Sequence, residues 1–417
     1  MLIHWIWLAT RPGMNDRQKK AVLDAFLDPE DAYHADNAAY AHVEGLTEEG
    51  VKALSDKILL PSEQILQECI DKNIHICTMH DAAYPARLKN IADPPVVLYY
   101  KGTLPDLDGS PVISVVGTRR ASMYGLGVAK RMGYQIARCG GIVVSGIASG
   151  IDGMAMRGAL TAGGNVVAVL GCGADVVYPQ SNRALYADTE QRGCLLTEFP
   201  PGTPPHKWNF PKRNRIISGM SNGVLVVEAP ERSGALITAG QAAEQGRDVF
   251  VVPGNIDVVT CAGSNALLRE GAISVSSGWD VISEYQALYP DRIRKDTMPS
   301  RMAGYADELS EPAEPRKAAP KVAQKPHTPV KSRVSDRKEE KMPIDKDDNR
   351  GYIDHCDTAG LTEEEKCIVS AIRGVCLVDD VIARTKMPAG KVLAMLTMLE
   401  IRGTVQRLPG KQIKLKP

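Results

Sequence analysis

The segment FPPGTPPHKWNFPKRNRIISGMS, residues 199–221, combines positive charge with aromatic side chains in a chain whose formal net charge is zero. It holds four cations and no acid: Lys207, Lys212, Arg213 and Arg215. Trp208 and Phe210 alternate with these cations. Cations that follow a phosphate backbone, and rings on which bases stack, are the components of a site for single-stranded nucleic acid. The alternative is a solvated basic loop whose two aromatic side chains anchor it to the core.

A second set of candidate phosphate contacts follows VISVV, an apolar run that predicts a buried strand. The next turn is Gly117-Thr118-Arg119-Arg120. A dinucleotide-binding turn reads Gly-x-Gly-x-x-Gly so that pyrophosphate can approach bare backbone, whereas here the two arginines take the place of the second glycine. No acid ends the second predicted strand to bind a ribose, so we expect no nicotinamide cofactor. Arginines beside a helix N-terminus suit a phosphate instead, with structural ion pairs as the alternative.

Two later turns are rich in small and hydroxyl-bearing residues. One contains Ser145, Gly146 and Gly150, and the other contains Ser233 and Gly234. Backbone amides at such turns bind anions, but the same small residues also let a helix pack closely on a sheet, so both interpretations stay open. Together with the turn at Gly117 and Thr118, they predict a phosphate-binding rim along one sheet edge. Such a rim suits a polymer better than a single nucleotide.

Groups for acid–base or metal chemistry are scarce. His206 is the only histidine between residues 110 and 290, which leaves almost no candidate for a Ser-His-Asp or Cys-His arrangement. No cluster of His, Cys and carboxylates has the spacing of metal ligands. Asp152, Asp175 and Glu228 could act as acid or base, but a helix start, a loop and a strand end favour structural roles. We therefore expect no enzymatic activity, no cofactor and no metal.

Composition narrows the class of protein further. The 417 residues suggest roughly two to four domains, and balanced charge means that any nucleic-acid site must be a local patch. Nine cysteines without a Cys-x-x-Cys pair indicate reduced thiols in a cytoplasmic protein. No run approaches the roughly 18 apolar residues of a membrane span. The short apolar start MLIHWIWLAT is followed at once by Arg11 and Pro12, and it predicts a buried element rather than a signal peptide.

The predicted fold class is α/β. Five runs are apolar throughout and alternate with segments of helical character: VISVVG, GIVVSG, NVVAVLG, GVLVVEA and DVFVVPG. This pattern indicates an extended Rossmann-like parallel sheet core, covered on both faces, over residues 71–290. The segment IHICTMHDAAYPARLKNIADPPVVLYYKG ahead of it is expected to add one or two strands.

Three further regions complete the predicted organisation. Residues 1–70 have helical spacing and an N-cap signal at Thr47, which indicates a small helical domain of the SAM-like or helix-hairpin-helix kind, or a packing appendage. Residues 291–356 read as a disordered charged linker, since 27 residues between 291 and 350 are charged and seven are prolines. Residues 357–417 predict a winged-helix domain from a capping box at Thr362, a third helix from Pro388 and a hairpin that turns at Pro409-Gly410.

Six motifs span the predicted sheet domain: VVGTRRASMYG, SGIASGIDGMA, LGCGADVVYP, FPKRNRIISGMS, VVEAPERSGALITAGQAAEQGRDVFVVPG and GSNALLREGA. Together they resemble the DNA-processing protein A family (DprA, also called Smf). The similarity extends to HDAAYPARLKNIADPPVVLYYKG and to the winged-helix tail, so it covers most of the chain outside the linker. It implies a non-enzymatic protein that binds single-stranded DNA, forms a homodimer and hands the DNA to the RecA recombinase during natural transformation.

The resemblance also implies which residues bind DNA. The family's basic pocket corresponds to Arg119 and Arg120, and its base-contacting lysine and aromatic positions correspond to Lys207 and Phe210. Its Arg-Asn-Arg motif matches Arg213, Asn214 and Arg215. Trp208 is then expected to be a packing anchor.

This chain departs from the family pattern around its Gly-Ile-Asp sequence. Many members have arginine before it and Ala-His after it, whereas this chain has Ser149 and Ala155-Met156. The missing cation could weaken one phosphate contact. The missing imidazole argues further against proton-transfer chemistry.

Two other functions stay open as alternatives. A phosphoribohydrolase of the lysine-decarboxylase-like group shares this Rossmann variant, but its Pro-Gly-Gly-x-Gly-Thr-x-x-Glu turn is matched here only by Pro253-Gly254-Asn255-Ile256-Asp257. A regulator could read duplex DNA with its winged helix, although the third helix offers mainly Lys391 and Thr397 for base contacts. A partner-binding or accessory DNA role suits that tail equally well.

Overall fold

The computed structural model describes residues 1–295 and most of the region from residue 362 onward. In that region the described residues are 362–372, 374–385, 387, 392, 395–396, 399–400, 404–408 and 412–415. The chain forms two compact units, one ending at Ala318 and the other beginning at Ala319. The predicted linker lies almost entirely outside the described residues, as do Lys391 and Thr397, so these assignments and the predicted domain boundaries stay predictions.

The N-terminal segment is helical, as predicted. Its helices are α1 (Leu2–Ala9), α2 (Asp16–Phe26), α3 (Pro29–His34), α4 (Asn37–Tyr40), α5 (Glu48–Ser55) and α6 (Leu60–Asp71). Thr47 caps α5 by accepting a hydrogen bond from the amide of Gly50, as its sequence position predicts. The apolar start of the chain forms α1, in which Ile6, Trp7 and Leu8 are fully buried.

A nine-stranded sheet forms the centre of the first unit. Its strands in chain order are β1 (His75–Thr78), β2 (Val97–Gly102), β3 (Val112–Val116), β4 (Ile142–Ser145), β5 (Val166–Val169), β6 (Gly193–Thr197), β7 (Gly223–Val226), β8 (Asp248–Val251) and β9 (Ile273–Ser274). Across the sheet they lie in the order β1-β2-β6-β5-β4-β3-β7-β8-β9. Strands β3 to β9 are mutually parallel, while β2 pairs antiparallel with β6, and β1 antiparallel with β2. The predicted Rossmann-like parallel sheet is confirmed.

Each of the five predicted apolar runs forms a parallel strand, and the lead-in segment contributes β1 and β2. The sequence pattern does not predict β6 or β9. Strand β6, GCLLT, is buried over its whole length, but glycine and cysteine stand where β-branched residues would signal a strand. Strand β9 has only two residues, too few for a periodic signal.

Helices cover both faces of the sheet. The remaining helices of this unit are α7 (Ala86–Lys89), α8 (Met123–Arg138), α9 (Ile151–Thr161), α10 (Arg183–Gln191), α11 (Asn209–Gly219), α12 (Gly234–Glu244), α13 (Ala262–Arg269) and α14 (Gly278–Ile282). The N-terminal helices, α11 and α12 share a core with one face, and α8, α9, α10 and α14 share a core with the other. No helix in the described part of the chain is long and apolar enough to cross a membrane.

The strand order reverses beside β3. From β3 the chain adds β4, β5 and β6 on one side and, later, β7, β8 and β9 on the other. In open α/β sheets the carboxyl ends of the strands at such a reversal form a crevice where ligands bind. The turns after β3, β4 and β7 lead directly into α8, α9 and α12, so three helix N-termini meet at this edge.

The C-terminal unit contains helices α15 (Glu363–Ala371) and α16 (Val378–Thr385) and strands β10 (Cys376–Leu377), β11 (Val405–Leu408) and β12 (Gln412–Leu415). The predicted capping box is present, since Thr362 and Glu365 bond reciprocally at the start of α15. Strands β11 and β12 form the predicted hairpin, and β10 pairs with β12 to complete a three-stranded sheet. Residues 392, 396 and 399 are buried in this unit's core, as the predicted third helix requires. Pro409 and Gly410 lie outside the described residues.

Helices α8 and α9 pack with their backbones almost in contact. A Cβ atom on Gly133 of α8 would lie 2.0 Å from the carbonyl oxygen of Ala155, and one on Gly158 of α9 would lie 2.0 Å from that of Lys130. Such distances are far inside van der Waals contact. Glycine at these positions therefore sets how closely the two helices that start at the sheet edge approach each other.

We expect Gly133→Ala to lower the free energy of unfolding by about 1–3 kcal/mol, because the added methyl group must push two backbones apart. Gly127→Ala, in the same helix, is the matched control. A Cβ atom there meets no atom within 4 Å, so the better helix propensity of alanine should raise stability by up to about 1 kcal/mol. Urea unfolding followed by circular dichroism compares the two. Equal effects of both substitutions would contradict this account of the packing.

Candidate nucleic-acid interface

A cavity of about 840 Å³ opens at the carboxyl ends of β3 and β7, where the strand order reverses. We call it the switch-point cavity. Its lining comes from the segments after β3, β4, β5, β7 and β8, from the starts of α9 and α12, from α11, and from the segment before α11. The lining residues are Val116, Gly117, Thr118, Arg119, Arg120, Ala148, Asp152, Tyr178, Pro205, Lys207, Phe210, Pro211, Arg213, Asn214, Ile217, Pro230, Arg232, Ser233, Gly234, Ala235, Ile237, Thr238 and Thr260.

The structure brings ten of the fourteen predicted site residues to this cavity: Gly117, Thr118, Arg119, Arg120, Lys207, Phe210, Arg213, Asn214, Ser233 and Gly234. Four others do not line it: Ser145, Gly146, Gly150 and Arg215. Their contacts place them behind or beside the cavity, as described below. Whether any of the fourteen touches nucleic acid stays a prediction.

Segment 199–221, which carries four of these ten side chains, is helical over 11 of its 23 residues and is not simply a basic loop. Helix α11 begins at Asn209, and Pro211 lies in its first turn, where the missing amide hydrogen is tolerated. The side chain of Asn209 donates to the carbonyl oxygen of Gly171 at 3.0 Å and so ties the helix start to the turn after β5. This contact fixes the direction in which Phe210 leaves the helix.

Phe210 forms the floor of an aromatic platform. One side of its ring lies against the backbone of Gly171, where a Cβ atom would come within 2.9 Å of the ring. The guanidinium carbon of Arg119 lies 5.2 Å from the ring centroid, a cation–π distance. The ring of Tyr178 lies 5.5 Å away, centroid to centroid, at an angle of 38°. Arg119 and Phe210, about 90 residues apart in the chain, thus form one contact group.

Four exposed cations surround this platform: Arg119, Arg120, Lys207 and Arg232. Among the lining residues that the structure describes, Asp152 is the only carboxylate. A concave surface lined by one sign of charge focuses its field into the opening. The cavity therefore attracts anions.

Tyr178 and Arg232 are lining residues that the sequence analysis did not select. Tyr178 is 39% exposed and follows β5, and Arg232 lies in the turn after β7. The sequence feature that could have identified them is their position, since both come soon after the carboxyl end of a parallel strand. The sequence does not show which strands are neighbours, so it could not show that these two turns face the same cavity.

Arg213 lines the cavity from below and is only 4% exposed. Its Nη1 donates to the carbonyl oxygen of Val169, and its guanidinium fills the space above Gly146, where a Cβ atom would be 2.5 Å from both Nη atoms. Burial lowers the pKa of Arg213, and the nearby Asp152 opposes that shift. Gly146 therefore makes room for a buried arginine.

Asp152 is the buried counterpart of Arg213. Its Oδ2 accepts from the amide of Gly146 at 3.2 Å. Burial raises the pKa of this carboxyl group, against the opposing effects of Arg213 and of the backbone amides of Gly146 and Gly117. Since Asp152 lies in the first turn of α9, it also compensates that helix dipole.

Arg215 is two residues further along α11, which is about 200° around the helix from Arg213, and it is 3% exposed. Its two Nη atoms donate to the two carboxylate oxygens of Glu198 at 3.0 and 2.9 Å, and Nη2 also donates to Asp16 at 2.8 Å. Its Nε lies 3.3 Å from a carboxylate oxygen of Asp93. A direct DNA contact from Arg215 would require breaking these ion pairs.

Two lysines join the same carboxylates. Lys212 lies 3.0 Å from Asp16 and 3.1 Å from Glu198, and Lys19 lies 3.5 Å from Asp16. We call this set the Arg215 network: Arg215, Lys212, Lys19, Asp16, Glu198 and Asp93. Burial alone would raise the pKa of Asp16, but Lys19, Arg215 and Lys212 outweigh it, and the pKa is lowered. The network joins α2, the end of β6 and α11.

The other predicted turn residues mainly build the edge. The hydroxyl of Ser145 is fully buried and donates to the carbonyl oxygen of Val115 at 2.6 Å. Gly150 has φ of +81°, and a Cβ atom there would lie 2.3 Å from the carbonyl oxygen of Thr118, so only glycine lets the two turns touch. Ser233 caps α12 by accepting from the amide of Ala235. Close packing, one of the two open interpretations, thus accounts for Ser145 and Gly150.

Glu228 and Asp175 are both engaged with the fold. The carboxylate of Glu228 accepts from the amide and the hydroxyl of Ser122, at 3.1 and 3.0 Å, and from the hydroxyl of Thr260. The carboxylate of Asp175 accepts from the amide of Gly202 at 2.8 Å and pairs with Lys72 at 2.9 Å. These contacts agree with the structural roles expected of both residues.

The expectation that Trp208 is a packing anchor is wrong. Trp208 is 70% exposed and contacts the ring of His206, with ring centroids 4.5 Å apart and an angle of 11° between the planes. The apolar side chains that α11 contributes to the core are instead Ile216 and Ile217. Alternation along the chain could not show this, because the helix begins at Asn209.

Comparison with known proteins gives matches over nearly the whole chain. The family described as DNA recombination-mediator protein A matches residues 75–286, and the DprA winged helix domain matches residues 357–411. Protein Smf of Synechocystis is 33% identical over 414 residues, which is 98% of this chain and 97% of that protein. DNA processing protein DprA of Bacillus subtilis is 42% identical over 221 residues, covering 53% of this chain and 74% of that protein.

A solved structure gives a match of the same kind. The X-ray structure of DNA processing protein A from Streptococcus pneumoniae superposes with a TM-score of 0.61 at 35% identity. It covers 68% of this chain and 98% of that one.

We expect Asp16→Asn to lower the free energy of unfolding by about 3–5 kcal/mol at neutral pH, because it leaves the buried cations Lys19 and Arg215 with fewer counter-charges. The folded-state pKa of Asp16 is lowered, so its carboxylate stabilises the fold above the ordinary Asp range of about 4. That stabilisation is lost as pH falls through the folded-state value. The difference in the free energy of unfolding between wild type and variant should therefore become smaller in acid. Thermal unfolding across pH measures it.

Asp24→Asn on the same helix is the matched control. Asp24 is 67% exposed and lies 4.0 Å from Lys20, so its loss should cost no more than about 1 kcal/mol. If both variants lost equal stability at neutral pH, the Arg215 network would not hold α11 in place.

Proposed function

The chain belongs to the DprA/Smf family of DNA-processing proteins, and from that premise we propose that it binds single-stranded DNA in the switch-point cavity. The observation that carries this proposal is the contact group of Phe210, Arg119 and Tyr178, surrounded by exposed cations. An aromatic ring with a guanidinium beside it provides a stacking surface for any base. The affinity should therefore depend little on the base sequence of the DNA.

The arrangement favours a strand over a free nucleotide. A free nucleotide needs one phosphate site, but the exposed cations Arg120, Lys207 and Arg232 come from three different strand-end turns or helix starts around the opening. Charges spread in this way follow a backbone that enters and leaves the cavity. Duplex DNA offers no free base face to Phe210, so it should bind less tightly.

The roles of the predicted residues differ within this proposal. Arg119, Arg120 and Lys207 contact phosphates, Phe210 stacks a base, and the partly buried Asn214 contributes a polar contact. Arg213 acts from beneath the cavity by keeping its floor positive. Arg215 positions α11 through the Arg215 network.

We further propose that the protein passes bound DNA to the RecA recombinase in the cytoplasm, acts in natural transformation, and works as a homodimer. Support comes from the family description as a recombination mediator, since a mediator must both hold single strands and release them to a recombinase. A protein that only stored DNA would not need that second step.

The enzymatic alternative has one feature in its favour, a cavity large enough for a nucleoside monophosphate. Against it, Asp152 is buried beside Arg213, and Glu228 is bonded to Ser122 and Thr260. Incubation with nucleoside monophosphates distinguishes a DNA-binding protein from a phosphoribohydrolase. Release of free base would favour the phosphoribohydrolase.

Charge reversal tests the DNA proposal. If the four exposed cations each neutralise one phosphate, the slope of log affinity against log salt on single strands should be about −3, because each contributes about −0.7. Arg119→Glu with Lys207→Glu should reduce the magnitude of this slope by at least about 1.4 and weaken binding strongly at low salt. Fluorescence anisotropy with labelled oligonucleotides at several salt concentrations measures both quantities.

The matched control is Arg192→Glu with Lys52→Glu, which makes the same change in net charge at two exposed cations away from the cavity. This variant should bind like the wild type. Unchanged affinity in the cavity variant, or tighter binding of duplex than of single strands by the wild type, would contradict the proposal.

The transfer step has its own prediction. The wild type should shorten the lag in RecA filament assembly on oligonucleotides already covered by a single-strand-binding protein, and the Arg119→Glu, Lys207→Glu variant should not. The ATPase activity of RecA is measured over time as the readout of filament assembly. A wild type that binds single strands but leaves the lag unchanged would contradict the recombinase role alone.

A further inference from the structure

Trp208 is the most exposed of the Trp, Tyr and Phe side chains in the described part of the chain, ahead of Tyr124 at 64%. It lies at the N-cap of α11, between Lys207, which lines the switch-point cavity, and the helix that carries Phe210. Trp208 itself is not among the residues that line the cavity. Its indole is 70% exposed, whereas most tryptophan side chains are largely buried.

The indole is held in place even though it is exposed. His206 covers one of its faces in a nearly parallel stack, 4.5 Å between centroids. The backbone around the pair is fixed by two hydrogen bonds, from the amide of His206 to Pro204 and from the amide of Asn209 to His206. One face of the indole is therefore covered, and the other is available to a flat partner without further ordering of the loop.

The charge around the pair indicates what that partner is. No acid occurs between Phe199 and Ser221, and the residue before Trp208 is the exposed Lys207. A tryptophan that docks a protein usually sits among other apolar side chains, whereas the neighbours of Trp208 in the chain are the exposed cation Lys207 and the buried polar residue Asn209. A polyanion that carries flat rings fits both the charge and the free indole face.

We propose that Trp208 is a second stacking platform, which takes a base of the single strand outside the switch-point cavity. The strand leaves Phe210, passes Lys207 with a phosphate and places a later base on the free face of the indole. Phe210 lines the cavity and Trp208 does not, so the two platforms engage different nucleotides. This inference rests on the proposed single-strand binding and extends its footprint beyond the cavity.

Tryptophan fluorescence of the full chain tests the stack directly. Trp5 and Trp7 are buried and Trp279 is partly buried in the core, so Trp208 is the indole that a bound base can reach among the four. Oligo-dT at saturation should quench the emission, and Trp208→Phe should remove most of the quenching while it keeps affinity within about twofold, because a phenyl ring still stacks.

Affinity against oligonucleotide length gives the second readout. Trp208→Ala should bind long oligo-dT about tenfold more weakly than the wild type, and should bind the shortest oligonucleotides that engage the cavity equally well. Phe210→Ala should weaken binding at every length. Folding of each variant is checked by its thermal unfolding midpoint.

The outcomes separate the two proposals. If the wild type binds no single strands, the proposed function fails. If it binds them while Trp208→Ala matches it at every length and saturating oligo-dT leaves the emission unchanged, the second platform is overturned.

Discussion

The guanidinium of Arg215 holds α11 against two other parts of the fold at once. It forks onto Glu198 at the end of β6 and reaches Asp16 on α2. Paired charges of this kind repay their desolvation only when geometry and partners are complete, and Lys212 and Lys19 complete this set. Because α11 cannot rotate or slide without breaking these pairs, Phe210 and Arg213 on its other side keep fixed positions at the cavity.

Close approaches of backbone bring the rest of the interface together. Gly150 lets the turn after β4 touch the turn that carries Arg119, and Gly146 leaves space for the guanidinium of Arg213. Gly171 lets the ring of Phe210 lie on the turn after β5. Each of these glycines leaves space for an atom group that a side chain would displace. Together they allow a positive cavity with an aromatic floor to form. The shape of this cavity therefore depends on glycines beneath the surface as much as on the cationic and aromatic side chains that line it.

Much of the fold was predictable from local pattern. Uniformly apolar runs predict strands that are buried on both faces, and Thr47 and Thr362 mark helix starts by hydrogen bonds within a few residues. These signals are local, so the chain displays them without its tertiary context. Strand β6 was missed because its burial comes from its neighbours, not from its own residues. Trp208 was placed wrongly for a similar reason, since only the folded chain shows that its indole lies at the surface.

The candidate site likewise has features that the sequence predicts and features that only the folded chain decides. Residue type and spacing marked Arg119 and the cations and rings of segment 199–221 as candidates, and the resemblance to the DprA/Smf family then singled out Lys207 and Phe210 among them. Type alone could not separate Arg213 and Arg215 from exposed arginines, although both are almost fully buried. Whether an arginine faces a ligand or an internal carboxylate depends on which residues lie opposite it. That is a property of contacts between distant segments, such as Arg215 with Asp16, and it exists only once the chain has folded.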